Sequence, residues 1–170
     1  MSGLDAASLS HLAERYFASV DRMDVAATLA CFAPDASFTI ATYSNVYQGR
    51  DTEIAGMFKR LNGRYAKVWH GNFDHVTDVP AQRIASRFRV ENITHQGQKL
   101  VKNNCNFFRV QDGLFVEVFV YMSGDNSLGG TPLCLPAHSA CGARSSRAAQ
   151  GARLPRRAAS SSVASSTAAA

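Results

Sequence analysis

Residues 103–122 read NNCNFFRVQDGLFVEVFVYM, two stretches of alternating apolar and polar side chains meeting at Gln111-Asp112-Gly113. Alternation with period two is the mark of a strand, and Asp-Gly between two such runs marks a hairpin. The loop length decides which face each side chain takes. With Asp112-Gly113 alone as the loop, Asn106, Phe108 and Val110 share a face with Phe115, Glu117 and Phe119, and a carboxylate enters the core. A three-residue loop with Gly113 in the left-handed conformation reverses the parity. Asn104, Asn106, Phe108 and Val110 then stand beside Leu114, Val116, Val118, Val120 and Met122, while Arg109 and Glu117 pair outside. The second register keeps charge out of the core and is the one expected. It makes an aliphatic wall carrying two amides, the lining of a cavity.

Outward from this hairpin the same period predicts strands over 67–79, 83–95 and 99–110, with turns near Pro80-Ala81 and Gln96-Gly97 and a last strand over 115–122. Upstream the period is helical. Ser8 is expected to cap a first helix bearing Leu9, Leu12, Tyr16, Phe17 and Val20, and Asp24 a short second helix through Ala27, Cys31 and Phe32 that ends before Pro34. A strand over 36–42 and a return at Val46-Tyr47 follow, then a third helix capped by Asp51 and carrying Ile54, Met57, Phe58 and Leu61. The order predicts an α+β fold: a cone-shaped curved antiparallel sheet wrapped around a long N-terminal helix, three helices in all.

The charge divides the chain. Residues 1–130 hold 13 Lys and Arg against 13 Asp and Glu, whereas residues 131–170 hold 5 Arg and no acid, so the end of the chain carries the whole formal charge of +5. The neutral part, 1–130, is read as one domain. The Ala, Ser and Arg-rich tail, 131–170, has too few apolar residues to offset its ordering entropy and is expected to be disordered, either a solvated appendage or a basic tether. The domain lacks a clustered basic face or a nucleic-acid motif, so no nucleic acid is expected as partner. No apolar run approaches the roughly 20 residues a bilayer demands, and no signal pattern opens the sequence, which predicts a cytoplasmic protein without membrane contact. The four cysteines form neither a CxxC pair nor a His-partnered spacing; reduced thiols, no metal and no cofactor are expected.

Four segments resemble the superfamily of nuclear transport factor 2, ketosteroid isomerase and the SnoaL-like polyketide cyclases: Glu14-Arg15-Tyr16-Phe17, the run from Cys31 through Pro34 to Phe38, Tyr47-Gln48-Gly49-Arg50-Asp51, and Phe107-Phe108-Arg109-Val110-Gln111-Asp112-Gly113. The resemblance spans residues 9–122 and implies the cone fold. For activity it implies a range, from isomerases, cyclases and dehydratases to non-catalytic binding modules. Ketosteroid isomerases polarise a ketone with a tyrosine and a carboxylic acid while a carboxylate moves the proton. The resemblance lays Tyr16 on the tyrosine and Asn106, whose amide can still donate, on the acid. It lays Ile40 on the base, and Ile40 cannot take a proton.

The other residues with chemistry lie in Trp69-His70-Gly71-Asn72-Phe73-Asp74-His75. Simple alternation puts Trp69, Gly71, Phe73 and His75 on one side and His70, Asn72 and Asp74 on the other. The apolar side should face the cavity, which makes His75 the pocket histidine and parts the two histidines, against a shared metal. The expected catalytic set is Tyr16, His75 and Asn106. The expected pocket is Phe32, Ile40, Phe58, Trp69, Phe73, Phe88, Asn104, Phe108, Val118 and Val120. Two functions remain open: a cofactor-free lyase, cyclase or isomerase acting on a small hydrophobic oxygenated molecule, or a non-catalytic ligand-binding or dimerisation module. Phe107, Phe115, Phe119 and Tyr121 on the outer face predict a homodimer.

Overall fold

A computed structural model describes residues 3–129; the tail expected to be disordered lies outside them. Helix α1 (Ala6–Asp21) is capped by Asp5, whose side chain accepts from the Ser8 backbone N–H, so the cap sits three residues before the serine expected there. Leu9, Leu12, Ala13, Tyr16, Phe17 and Val20 form its buried stripe. Asp24 caps α2 (Val25–Leu29) as expected, accepting from Ala27 N–H at 2.9 Å.

Strand β1 (Phe32–Ile40) begins earlier than the helical pattern suggests, because the Phe115 N–H donates to Cys31 O at 2.8 Å and Phe32 pairs with Phe115. Pro34 falls where the register shifts, a place in a strand that needs no N–H. A 3-10 turn (Ala41–Tyr43) leads into β2 (Asn45–Gln48). A π-helical turn (Gly49–Ile54) then runs into α3 (Ala55–Arg64), so Asp51 stands inside a turn and caps nothing. Long strands follow: β3 (Tyr65–Asp78), β4 (Arg83–Thr94), β5 (Lys99–Gln111) and β6 (Leu114–Met122).

The six strands form one curved sheet in the order β2-β1-β6-β5-β4-β3. Crossing by α3, the chain reaches the far edge at β3, and three hairpins return it to β1. There β6 runs parallel to β1, so the sheet is mixed where an antiparallel one was expected. The core lies between the concave face and α1.

The deciding hairpin turns on two residues, Asp112 and Gly113, both at positive φ (51° and 77°), with Gln111 opposite Leu114. The parity is restored one step later by a bulge: Val110 faces Phe115 and Arg109 faces Glu117, which leaves Val116 without an opposite residue. Asn104, Asn106 and Phe108 therefore share the buried face with Val118, Val120 and Met122, and Arg109 meets Glu117 outside at 3.4 Å, as the sequence suggests. Ahead of the bulge the assignment inverts. Phe115 is 0% exposed inside the core, and Leu114 and Val116 are only partly buried.

Candidate functional site

Strand β3 carries a second bulge. Gly71 pairs with Arg89 and Asp74 with Arg87, one residue too many on β3, and Asn72 takes the left-handed conformation (φ 56°) that asparagine tolerates better than most. The bulge moves His70 to the inner face, where its partner Val90 is buried. It keeps His75 there too, opposite buried Ser86. The two histidines thus share a face, contrary to simple alternation, and Trp69 points outward, 37% exposed. Its ring lies across Gly71, where a Cβ would stand 2.3 Å from it.

His70 is held by Asp21, the last residue of α1. Asp21 Oδ2 accepts the His70 backbone N–H at 3.0 Å, and Oδ1 meets Nδ1 at 2.6 Å. The imidazole packs against Phe17 and Phe88, with ring centroids 5.0 and 5.5 Å away. With Nδ1 committed to a carboxylate, Nε2 is the nitrogen left for a ligand.

His70 borders a cavity of about 30 Å³ in the concave face, room for about one water molecule. Tyr16, Asn92, Asn104 and Asn106 also border it, among Phe58, Phe88 and Val120. Each of these three asparagines leaves a buried side-chain oxygen with no hydrogen-bond partner among the described residues. The Tyr16 ring is enclosed by Phe17, Phe32, Phe58, Phe108 and Phe115. Burial pushes its phenol far above the ordinary range, with Cys31 and Asp21 adding to the effect, so Tyr16 is a proton-bearing donor and not a base. Ser127 and Leu128, just beyond β6, also border the cavity.

Of the expected pocket, Phe58, Phe88, Asn104 and Val120 border this cavity, as do Tyr16 and Asn106 of the expected catalytic set. Phe32, Ile40, Phe108 and Val118 are buried in the surrounding core, and Phe73 is partly buried, stacked between Phe17 and His75. His75 does not border the cavity. Its Nδ1 meets Ser86 Oγ at 2.8 Å; Glu14 Oε1 stands 3.5 Å from Nε2, near enough for ion pairing yet outside hydrogen-bond geometry. Sequence reading missed His70, Asp21 and Asn92. The available signal was Gly71-Asn72, a pair suited to a bulge, which alone moves His70 inward.

The profile of the SnoaL-like domain matches residues 13–118. No curated protein matches the chain. A candidate polyketide cyclase of Xanthomonas campestris pv. campestris superposes with a TM-score of 0.62 at 22% identity, over 68% of this chain and 90% of its own. One from Pseudomonas putida KT2440 gives 0.60 at 21%, over 66% and 90%. A protein of ketosteroid isomerase-like fold from Catenulispora acidiphila, in complex with trimethylamine, gives 0.59 at 12%, over 65% and 83%. At these identities the likeness is one of fold.

Proposed function

As the chain belongs to the SnoaL-like domain family, we propose that the one-water cavity of the cone widens to admit a small hydrophobic, oxygenated molecule and that the protein acts on it as a cofactor-free lyase, cyclase or isomerase. The observation that carries this reading is the His70–Asp21 pair beside a cavity that Tyr16 and Asn106 also border. Tyr16 and Asn106 polarise a carbonyl or hydroxyl of the substrate, and the imidazole moves the proton that the apolar Ile40 cannot. His70 takes the role that simple alternation gave to His75. Proton exchange tests it: a cyclic enone such as 2-cyclohexenone, held with the protein in D2O, exchanges the protons next to its carbonyl system faster than with His70→Gln, followed by proton NMR. No acceleration by the parent protein removes the enzyme reading.

A second reading, a non-catalytic binding or dimerisation module, draws on the opposite face of the sheet. A concavity of about 510 Å³ there is lined by Phe107, Phe119, Tyr121 and Val76 around the Arg109–Glu117 pair. Phe107 and Tyr121 stack edge to face and are 48% and 49% exposed. A second copy covering this face makes the homodimer part of the proposal under either reading. The cytoplasm is the proposed location, and no helix among the described residues is long and apolar enough to cross a membrane. Ligand binding without exchange selects this second reading.

A further inference from the structure

Two cations stand close together beyond the end of β6, Lys102 buried and Arg64 exposed, and among the described residues neither is in an ion pair; the Asp125 carboxylate acts on Lys102 only from beyond ion-pair distance. Lys102, on β5, is 5% exposed. It stands opposite Val90, which borders the cavity, and two residues before Asn104 on the same inner face. Its ammonium donates to the backbone carbonyl of Asp125. Arg64, the last residue of α3, donates to the next carbonyl, Asn126 O, at 2.9 Å. No carboxylate oxygen among the described residues lies within 4 Å of either. A lysine is almost never buried unless paired, because desolvation disfavours its charge. Burial here does push the Lys102 ammonium below the usual lysine range.

The two carbonyls belong to residues 123–129, a strap that follows β6, borders the cavity and is tied down by side chains. Tyr43 donates to Gly124 O, and Asn126 donates to Asn45 at 2.8 Å. Ser127 and Leu128 of the same segment border the cavity. The Lys102 and Arg64 contacts on this strap are thus cation-to-carbonyl bonds, which a carboxylate would replace with bonds charged on both sides.

We propose that Lys102 and Arg64 form the head-group subsite of the cone and that its ligand is an amphipathic carboxylate, an apolar oxygenated body inside with the carboxylate at the mouth. This rests on the pocket reading above and narrows its substrate class. On binding, the carboxylate takes the place of the Asp125 and Asn126 carbonyls, and the strap moves aside by the width of the ligand. A neutral ligand offers the cations only another uncharged acceptor in exchange for the strap carbonyls and gains no ion pair from either.

Benzoate and benzamide, nearly equal in shape, separate charge from fit. Titrated into the full chain and followed by protein NMR, benzoate binds about ten times more tightly than benzamide. Lys102→Met removes that preference by weakening benzoate while leaving benzamide within about twofold, and Arg64→Gln reduces it about threefold. A residue that merely anchors the strap would shift both ligands together and leave their ratio unchanged. Equal affinity of the parent protein for the two overturns the proposal, as does a preference that survives both substitutions. If Lys102→Met does not fold, Arg64→Gln decides: a full preference there overturns it. If neither compound binds, the pocket reading itself fails.

Discussion

Asp21 grips His70 twice, through the backbone N–H at 3.0 Å and through Nδ1 at 2.6 Å, and so ties the end of α1 to the strand just before its bulge. A carboxylate at a helix C-terminus faces the negative end of the helix dipole, so its placement there is offset by these two bonds. Asp21→Asn keeps an acceptor and removes the charge. It is expected to lower stability by about 1–2 kcal/mol in urea melts and to leave the His70 tautomer mixed in nitrogen-15 NMR spectra. A variant as stable as the parent, with the proton still on Nδ1, would show that the charge does not hold the pair.

Tyr16 gives a prediction in pH. Its folded pKa lies above the ordinary value of 10.0, raised chiefly by burial. The folded chain therefore holds the phenolic proton over a range where the unfolded chain has lost it. The stability this represents is whole below about pH 10 and falls by up to ~1.4 kcal/mol per pH unit above it. Tyr16→Phe should flatten that alkaline loss in melts between pH 9 and 11. An unchanged slope would mean that the hydroxyl is solvated.

Most of the fold was readable because its signals are local: the stripe of α1, the cap at Asp24 and the alternation along four strands need only neighbouring residues. Both errors at the site came from bulges. Each adds one residue to one strand and inverts every side chain on one side of it, and nothing in the alternation near Val116 or Asn72 records which strand yields. Phe115 and Trp69 were misplaced for that reason, and His70 was passed over. Asp21 was beyond reach, since its role depends on a contact 49 residues away. The parallel β1–β6 pair likewise follows from the α3 crossover and not from either strand's own sequence.

The bulge at Val116 separates two phenylalanines that the sequence alone places together. Phe115→Ala removes a ring that contacts Tyr16, Phe32 and Phe108, and should cost about 3–5 kcal/mol. Phe107→Ala should cost less than about 1 kcal/mol in the monomer. Phe107→Lys with Tyr121→Lys should shift the sedimentation coefficient from dimer to monomer at micromolar concentration while the melt is retained. Equal losses from the two alanine variants would place both rings on one face.

Asn104 and Asn106 test whether the cavity is built to hold something. Among the described residues their side-chain oxygens are buried without a partner, and Asn106 makes no hydrogen bond with Tyr16, which borders the same cavity. An amide kept for structure alone would be satisfied within the fold, so these two act against stability in the free protein. Asn106→Leu is therefore expected to leave the urea midpoint unchanged or to raise stability by about 1 kcal/mol, while weakening the binding of a phenol or cyclic enone by about 1–3 kcal/mol. With no bond between the two side chains, the effects of Asn106→Leu and Tyr16→Phe on stability should add within about 0.5 kcal/mol. Ligand titrations and urea melts on the parent, the single variants and the double variant measure all of this. A stability loss of about 2 kcal/mol in Asn106→Leu, recovered in part by the double change, would show a structural Tyr16–Asn106 bond and take both residues out of the site.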